Sequence, residues 1–428
     1  MVTKELLKQL IVTSQDTFPR DVKPRATDIP IDTGKIITLS GVRRCGKSSL
    51  MMLIINRLLE QGISKERILY INFDDERLLL ETGETDKILE AYRELFPEIP
   101  FADVYLFFDE IQEVPEWAKF VRRVYDQESK QLFITGSNSH LLSSELSTSL
   151  RGRTLQYEIF PLSFREYCSF KNVQPDYYNI AYKAGIINIF TDYLIDGGFP
   201  EVALCKPDLK LNIMQDYYFT MLYKDLCERY QIRNVEVVKY FNLRMLINAT
   251  KPTSINKIVN EIKSQGKKFS KDLGYELANQ TESIYLFLPL TKFDLSFVKE
   301  VQSIKKYYCI DNGFFKALLP STDRNKGILL ENALYLHLHR QETPVRRLHF
   351  LEGTSNCDFV WVENWKITQA IQVAWDISDP QTYHREIEAF RTIDCGEYFL
   401  ITSEEERDVT EFGKTIHILP AWKLFLKP

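Results

Sequence analysis

The stretch GVRRCGKSSL, residues 41–50, follows the run KIITLS and leads into MMLIINRLL. The β-branched apolar run before it reads as a buried strand. The apolar spacing from Lys47 onward reads as a helix ending at Gly62. Between the two, a pair of glycines brackets four residues and is followed by Lys-Ser, which is the spacing of a loop that wraps a phosphate. Gly41 and Gly46 let the backbone N–H groups of Val42, Arg43, Arg44 and Cys45 curl toward an anion. The helix beginning there, through Ser49, offers its positive end. Lys47 supplies a point charge for β- and γ-phosphates, and the Ser48 hydroxyl is a ligand for Mg²⁺. The plainer alternative, a glycine-containing surface turn beside a lysine, is disfavoured by the strand before the loop and the helix after it.

A phosphate loop needs an acidic partner from a neighbouring strand. VYLFFDEIQ, residues 104–112, offers one at the end of an apolar run: Asp109 for the metal and Glu110 to polarise the attacking water. LFITGSNSHLL places Asn138 just past another strand tip, able to orient that water or sense the γ-phosphate. SLRGRT places Arg151 and Arg153 where an arginine finger would neutralise transition-state charge, with Arg153 preferred. Each has a duller reading: a solvated strand end for the acids, a turn-forming Asn, surface arginines.

The runs KIITL, ILYINF, VYLFFDEI and QLFITGS alternate with helical stretches from 35 to about 137, which implies a parallel sheet covered by helices. Residues 1–30 read as a lead-in helix and linker. Residues 160–245 read as helical, interrupted at DGGFP (196–200), and short helices and aromatic runs follow from 250 to 310. A last block, 328–425, alternates helix and strand again. With 428 residues and a net charge of −5, the chain has room for about two to four domains. It has the composition of a soluble globular protein. The seven Cys are scattered and form no CxxC pair, which argues against a zinc site or a disulfide framework and for a reducing cytoplasm. MVTKELLKQLIV is too interrupted by charge for a signal peptide, and no run reaches the length of a membrane span.

The ordered set GVRRCGKSS, YINFDD, LFFDEIQEV, ITGSNS, LRGR, FPLSFREY and DGGFPEV resembles the bacterial and archaeal AAA-type ATPases fused to a domain of unknown function. The resemblance covers nearly the whole chain. It implies an α/β fold with a P-loop NTPase (AAA+-like) parallel-sheet core at 1–160, a helical lid region at 161–245, a winged-helix-like domain at 246–320 and a restriction-endonuclease-like domain at 321–428. It also implies Asn138 as the first sensor and Arg153 as the finger. Nucleases of the last type hold Mg²⁺ between a helix Glu, a strand Asp and a Glu-x-Lys pair. Here the matching positions are Glu331, Asp358 and Gln372-Val373-Ala374, so two of four groups are gone and cleavage is expected to be lost. Lys366 lies nearby, but its spacing does not support it as a substitute. Glu331 and Asp358 then read most simply as surface carboxylates.

Residues 251–306 hold ten Lys, no Arg and six acids, an excess of four positives. That face could contact nucleic-acid phosphates, though lysine reads no bases. The expected function is Mg²⁺-dependent binding and hydrolysis of ATP, driving a molecular switch or remodeller with DNA as a candidate partner through the winged helix. A finger that reaches a neighbour's site points to a homo-oligomeric ring, and no membrane partner is indicated. An ATP-controlled nuclease and a nucleotide-bound interaction scaffold are the alternatives. Gln372 and Ala374 weigh against the first, and the intact Asp109-Glu110 pair against the second.

Overall fold

The computed structural model describes residues 2–81, 83–138, 150–173, 180–319, 326–353 and 355–427. The chain divides into two compact units, one formed by residues 1–160 with 283–285 and the other by 161–282 with 286–428.

The first unit is built on five parallel strands: β1 (Ile36–Ser40), β2 (Ile68–Asn72), β3 (Tyr105–Asp109), β4 (Leu132–Gly136) and β5 (Thr154–Glu158), in the order β2-β3-β4-β1-β5. β1 and β4 are buried along their full length, as expected where helices cover both faces of a parallel sheet. β5, at the edge, is half exposed. Helices α1 (Lys4–Asp16), α2 (Lys47–Glu60), α3 (Asp86–Leu95) and α4 (Trp117–Gln127) carry the packing. Leu7 and Ile11 of α1, Leu89 and Tyr92 of α3, and Val121 and Val124 of α4 share one core with Ile71, Leu106 and Ile134 of the strands. Helix α1 is therefore part of this unit's core and more than a lead-in. Its Gln15 Nε2 donates to the Ile68 carbonyl at 3.0 Å. Because every strand runs the same way, the carboxyl ends of β1, β3 and β4 lie along one edge of the sheet, where ligands of open α/β sheets bind.

The second unit begins with helices α5 (Phe164–Phe170), α6 (Ile180–Asp196), α7 (Pro200–Leu204), α8 (Lys210–Thr220) and α9 (Val235–Ile247). The break in the helical pattern at DGGFP has a physical cause. The buried Asp311 carboxylate accepts from the N–H of Gly198 at 2.7 Å and of Gly313 at 2.8 Å. A Cβ on Gly197, at φ +83°, would lie 1.6 Å from that carboxylate. Beyond α9 the order is β6 (Pro252–Thr253), α10 (Ile255–Ser264), α11 (Lys271–Ser283), β7 (Phe287–Leu290), α12 (Phe297–Gln302) and β8 (Lys305–Cys309). The three strands form a small antiparallel sheet, β6-β8-β7. Then come α13 (Gly313–Leu318) and α14 (Lys326–His339), followed by a six-stranded mixed sheet ordered β13-β14-β12-β11-β10-β9. Its strands are β9 (Arg346–Leu351), β10 (Cys357–Glu363), β11 (Lys366–Val373), β12 (Glu397–Thr402), β13 (Arg407–Glu411) and β14 (Lys414–Pro420). Helix α15 (Pro380–Glu388) links the parallel pair β11 and β12. Val360, Ala370, Leu400, Ile416 and Ile418 pack with Phe390 into its core.

Candidate functional site

Residues 41–46 leave the carboxyl end of β1 and enter α2 at Lys47. Gly41 has no alternative here: a Cβ would lie 2.1 Å from the Ile159 carbonyl oxygen, on the backbone that continues β5. Gly46 caps α2 at φ +103°, in the left-handed region, and Arg44 also adopts positive φ. Glycine holds such a conformation at little cost. Val42 and Cys45 are buried beneath the loop, while Ser48 and Ser49 in the first turn of α2 are exposed. Lys47 is 3% exposed, and its ammonium donates to the carbonyls of Gly41 at 3.0 Å and Val42 at 3.2 Å. From the segment preceding β1, the Arg25 guanidinium donates to the Cys45 carbonyl at 2.8 Å and to that of Phe160 at 3.0 Å, bracing the loop from behind.

The loop and the acidic strand tip meet. Glu110 Oε1 stands 3.6 Å from Lys47 Nζ. Burial works against the Lys47 charge, but Glu110, the Cys45 thiol and Asp109 outweigh it and raise its pKa. Burial likewise works against ionised Glu110, and Lys47 together with a hydrogen bond from Gln112 overcomes it, holding the carboxyl below its usual range. Gln112 Nε2 donates to Glu110 Oε2 at 2.6 Å. Glu110 itself sits at φ +51°, just past the end of β3, and this turn aims its side chain at the loop. Asp109 is buried. Its Oδ2 accepts from the Tyr70 hydroxyl at 2.7 Å and its Oδ1 from the Thr135 hydroxyl. Thr135 Oγ1 in turn accepts from the Glu110 N–H at 2.8 Å. Burial, then Asp109, pushes the Tyr70 phenol well up, so it stays a donor.

Asn138 is fully buried two residues beyond β4, between the tips of β1 and β3 in sheet order. The two arginines lie elsewhere. The Arg153 carbonyl accepts from the Ile36 N–H, at the opposite end of β1 from the loop, about 13 Å away at strand rise. Its guanidinium is paired with Asp126 at 2.9 and 3.2 Å. Arg151 is exposed at φ +37°. Neither is gathered into the loop of its own chain.

In the second unit Glu331 of α14 and Asp358 of β10, expected as surface carboxylates, are largely buried and meet at the Lys306 ammonium. Gln372 of β11 lies beside Asp358, accepting from its N–H at 3.0 Å. Ala374 is buried and Lys366 is exposed at the start of β11. Burial, then the Asp358 carboxylate, pushes the Glu331 carboxyl up to about 7 against the pull of Lys306 and Tyr308. The reading of the sequence passed over Tyr70, Gln112, Thr135, Arg25 and Lys306. Thr135 alone left a signal, a hydroxyl in the otherwise apolar run LFITG. Tyr70 and Lys306 are contacts across long sequence separations, and no local pattern marks them.

Two family models match successive stretches of the chain. Residues 33–168 match the model of an AAA domain, and residues 187–325 match a domain of unknown function, DUF8612. The uncharacterised protein MJ1544 of Methanocaldococcus jannaschii is 32% identical over 439 residues, covering 99% of this chain and 96% of that protein. An uncharacterised protein of Haemophilus influenzae is 29% identical over 400 residues, covering 92% and 95%. Among solved structures, the Walker-type ATPase paby2304 of Pyrococcus abyssi matches at TM-score 0.40 and 15% identity, covering 74% of this chain and 96% of that one. The Aeropyrum pernix ORC1 protein in complex with DNA matches at TM-score 0.30 and 12% identity, covering 78% and 92%.

Proposed function

The chain belongs to the family of the archaeal protein MJ1544 and is an AAA-type P-loop ATPase fused to a C-terminal domain of unknown function; from that premise we propose that it binds and hydrolyses ATP with Mg²⁺ and acts as a molecular switch or remodeller. The observation that carries this reading is the 3.6 Å approach of Lys47 to Glu110 across the loop and the β3 tip. Ser48 and Asp109 are hard oxygen donors that fit a magnesium ion. When bound, that ion neutralises charge on the transferring phosphoryl group.

The protein's own residues divide the work. The backbone of residues 41–46 and the start of α2 receive the β-phosphate, with Val42, Arg43, Arg44, Cys45 and Ser49 completing the cradle. Lys47, now resting on two loop carbonyls, can turn its ammonium to the γ-phosphate. Glu110, ionised by its surroundings, takes the proton of the attacking water. Tyr70 and Thr135 fix Asp109, and Asn138 orients the water. Arg153 acts as a finger on a neighbouring copy, which is consistent with its distance from its own loop and implies a homo-oligomer. Phosphate release tests this reading. Glu110→Gln and Lys47→Ala should each lower turnover by about 10²–10³-fold, and wild-type rates in both would remove the mechanism. Sizing with and without ATP, on wild type and Arg153→Ala, tests the finger: assembly that hydrolyses ATP equally well without Arg153 refutes it.

In the second unit the order β6, α10, α11, β7, α12 and β8, with its three strands in one small antiparallel sheet, supports a winged-helix reading of 246–320, with DNA as a candidate partner. Lys306, one of the ten lysines counted there, is buried and contributes nothing to that face. The mixed sheet that follows supports a nuclease-like fold without cleavage.

A further inference from the structure

Active nucleases of the type resembled hold a divalent metal at the positions matched by Glu331 and Asp358, and the residues present here do not fit one. Lys306 lies on β8, in the small antiparallel sheet. Its ammonium donates to Glu331 Oε1 at 3.2 Å and to Asp358 Oδ1 at 3.1 Å. It is 7% exposed and packs against the Phe350 ring at 5.5 Å. Glu331 Oε1 also accepts from the Tyr308 hydroxyl at 3.0 Å, and the Val373 N–H donates to Asp358 Oδ2 at 3.2 Å. Three of the four carboxylate oxygens a metal would use are thus already engaged. Magnesium asks for oxygens at about 2.0–2.1 Å and calcium for about 2.3–2.6 Å, in sets of six or more. Among the described residues no three Asp, Glu, His or Cys side chains are grouped to hold a metal.

The third carboxylate expected of such a centre is replaced by an amide with a job of its own. Gln372 accepts from the Asp358 N–H through Oε1 and donates to Glu386 Oε2 at 2.8 Å through Nε2. A carboxylate could not make that second bond, since it has no hydrogen to donate. Glu386 is held on its other oxygen by the Arg385 guanidinium. Glu331, Asp358, Gln372, Arg385, Glu386 and Arg391 all line one cavity of about 630 Å³, so the centre borders open space without being filled from it.

We propose that Lys306 is the resident cation of this centre: its ammonium occupies the place of a divalent ion between Glu331 and Asp358, shuts the metal out, and joins the small sheet to the six-stranded one. Charge supports the exclusion. The ammonium already answers the acidic pair, and a dication brought beside a buried ammonium meets strong like-charge repulsion at low dielectric. A buried lysine without such partners would be costly, so the two carboxylates and the lysine stand or fall together. The inference is independent of the nucleotide site.

Manganese binding by the full chain without nucleotide, read by loss of the free Mn²⁺ electron-spin signal, tests it. Wild type and Asp358→Asn should bind alike, because Asp358 holds no metal. Lys306→Met should gain one equivalent of Mn²⁺ at least about tenfold tighter than wild type, and the added Asp358→Asn change should abolish the gain. A folded Lys306→Met that gains no Mn²⁺ overturns the proposal. So does an equivalent of Mn²⁺ on wild type that Asp358→Asn removes, or Mn²⁺-dependent plasmid cleavage by wild type that Asp358→Asn abolishes. The wild-type measurements decide the matter even where Lys306→Met does not fold.

Discussion

Two buried lysines each face carboxylates, and they are held in opposite ways. Lys47 rests on two carbonyls of its own loop and keeps one acidic partner at 3.6 Å. Lys306 makes two contacts of 3.1–3.2 Å to carboxylates on two different elements. The first is an arm resting on its own loop close to its charge partner, and under the proposed function it turns to an arriving phosphate. The second is a fastener whose release leaves two largely buried carboxyl groups without their cation. Burial of a lysine therefore does not reveal its role; the number and closeness of its anionic partners do.

The largest effect should separate the two by stability. Removing one member of a buried, close ion pair costs about 3–5 kcal/mol. Lys306→Ala should lower the stability of the second unit by that order, whereas Lys47→Ala, whose single acidic partner stands farther off at 3.6 Å, should cost the first unit about 1–2 kcal/mol while lowering turnover by about 10²–10³-fold. Denaturant unfolding of the full chain with a probe in each unit measures both. Equal losses would erase the distinction. Next in size, Gly41→Ala forces a Cβ against the Ile159 carbonyl. Such overpacking costs about 1–3 kcal/mol and should weaken nucleotide affinity along with it. A variant that binds ATP as tightly as wild type would mean the loop relaxes without loss.

The proposed nucleotide site was far more legible than the centre at Lys306, for a reason rooted in chain geometry. Phosphate binding uses consecutive backbone groups, so its residues must be spaced along one loop, and GVRRCGKSS announces them. The strand tip carrying Asp109 and Glu110 ends an apolar run, which periodicity exposes. The alternation of runs also foretold a parallel sheet, and the structure has five such strands. By contrast, Lys306, Glu331 and Asp358 are brought together from a strand, a helix and another strand by tertiary packing. One surface-charge count even placed Lys306 on a basic face that it does not join. Helix α1 was underestimated for the same reason: its apolar stripe of Leu7 and Ile11 is short, and only the partners Leu89 and Tyr92 reveal it as core.

A smaller effect probes the support behind the nucleotide site. Tyr70→Phe removes a 2.7 Å hydrogen bond to Asp109 while leaving that of Thr135 in place. A bond to a charged group is worth about 1.5–3 kcal/mol, and with half the carboxylate still held the loss should fall near the lower figure. The variant should show a raised magnesium requirement in phosphate-release assays and an unchanged fold. An unaltered magnesium dependence would mean that Thr135 alone orients Asp109.

The smallest effect is a slope with pH, and it sharpens the contrast because the two units should respond with opposite signs. In the first unit, Lys47 and its neighbours hold Glu110 below its ordinary value of 4.5. Its contribution to stability is therefore present above that value and is lost as pH falls. In the second unit, burial and Asp358 raise Glu331 to about 7. Between 4.5 and about 7 the folded chain then keeps a proton that the unfolded chain has released, and stability falls as pH rises through that window. Asp311, also raised to about 7 by burial, adds to the same slope. Glu331→Gln should flatten the slope of the second unit without removing it, and should leave the first unit's response unchanged. Urea midpoints taken from pH 3 to 8 measure both responses, the first unit's below 4.5 and the second unit's between 4.5 and about 7. A second-unit slope that is identical in wild type and Glu331→Gln would mean that Lys306 holds Glu331 ionised throughout, tightening the ion pair beyond what its burial implies.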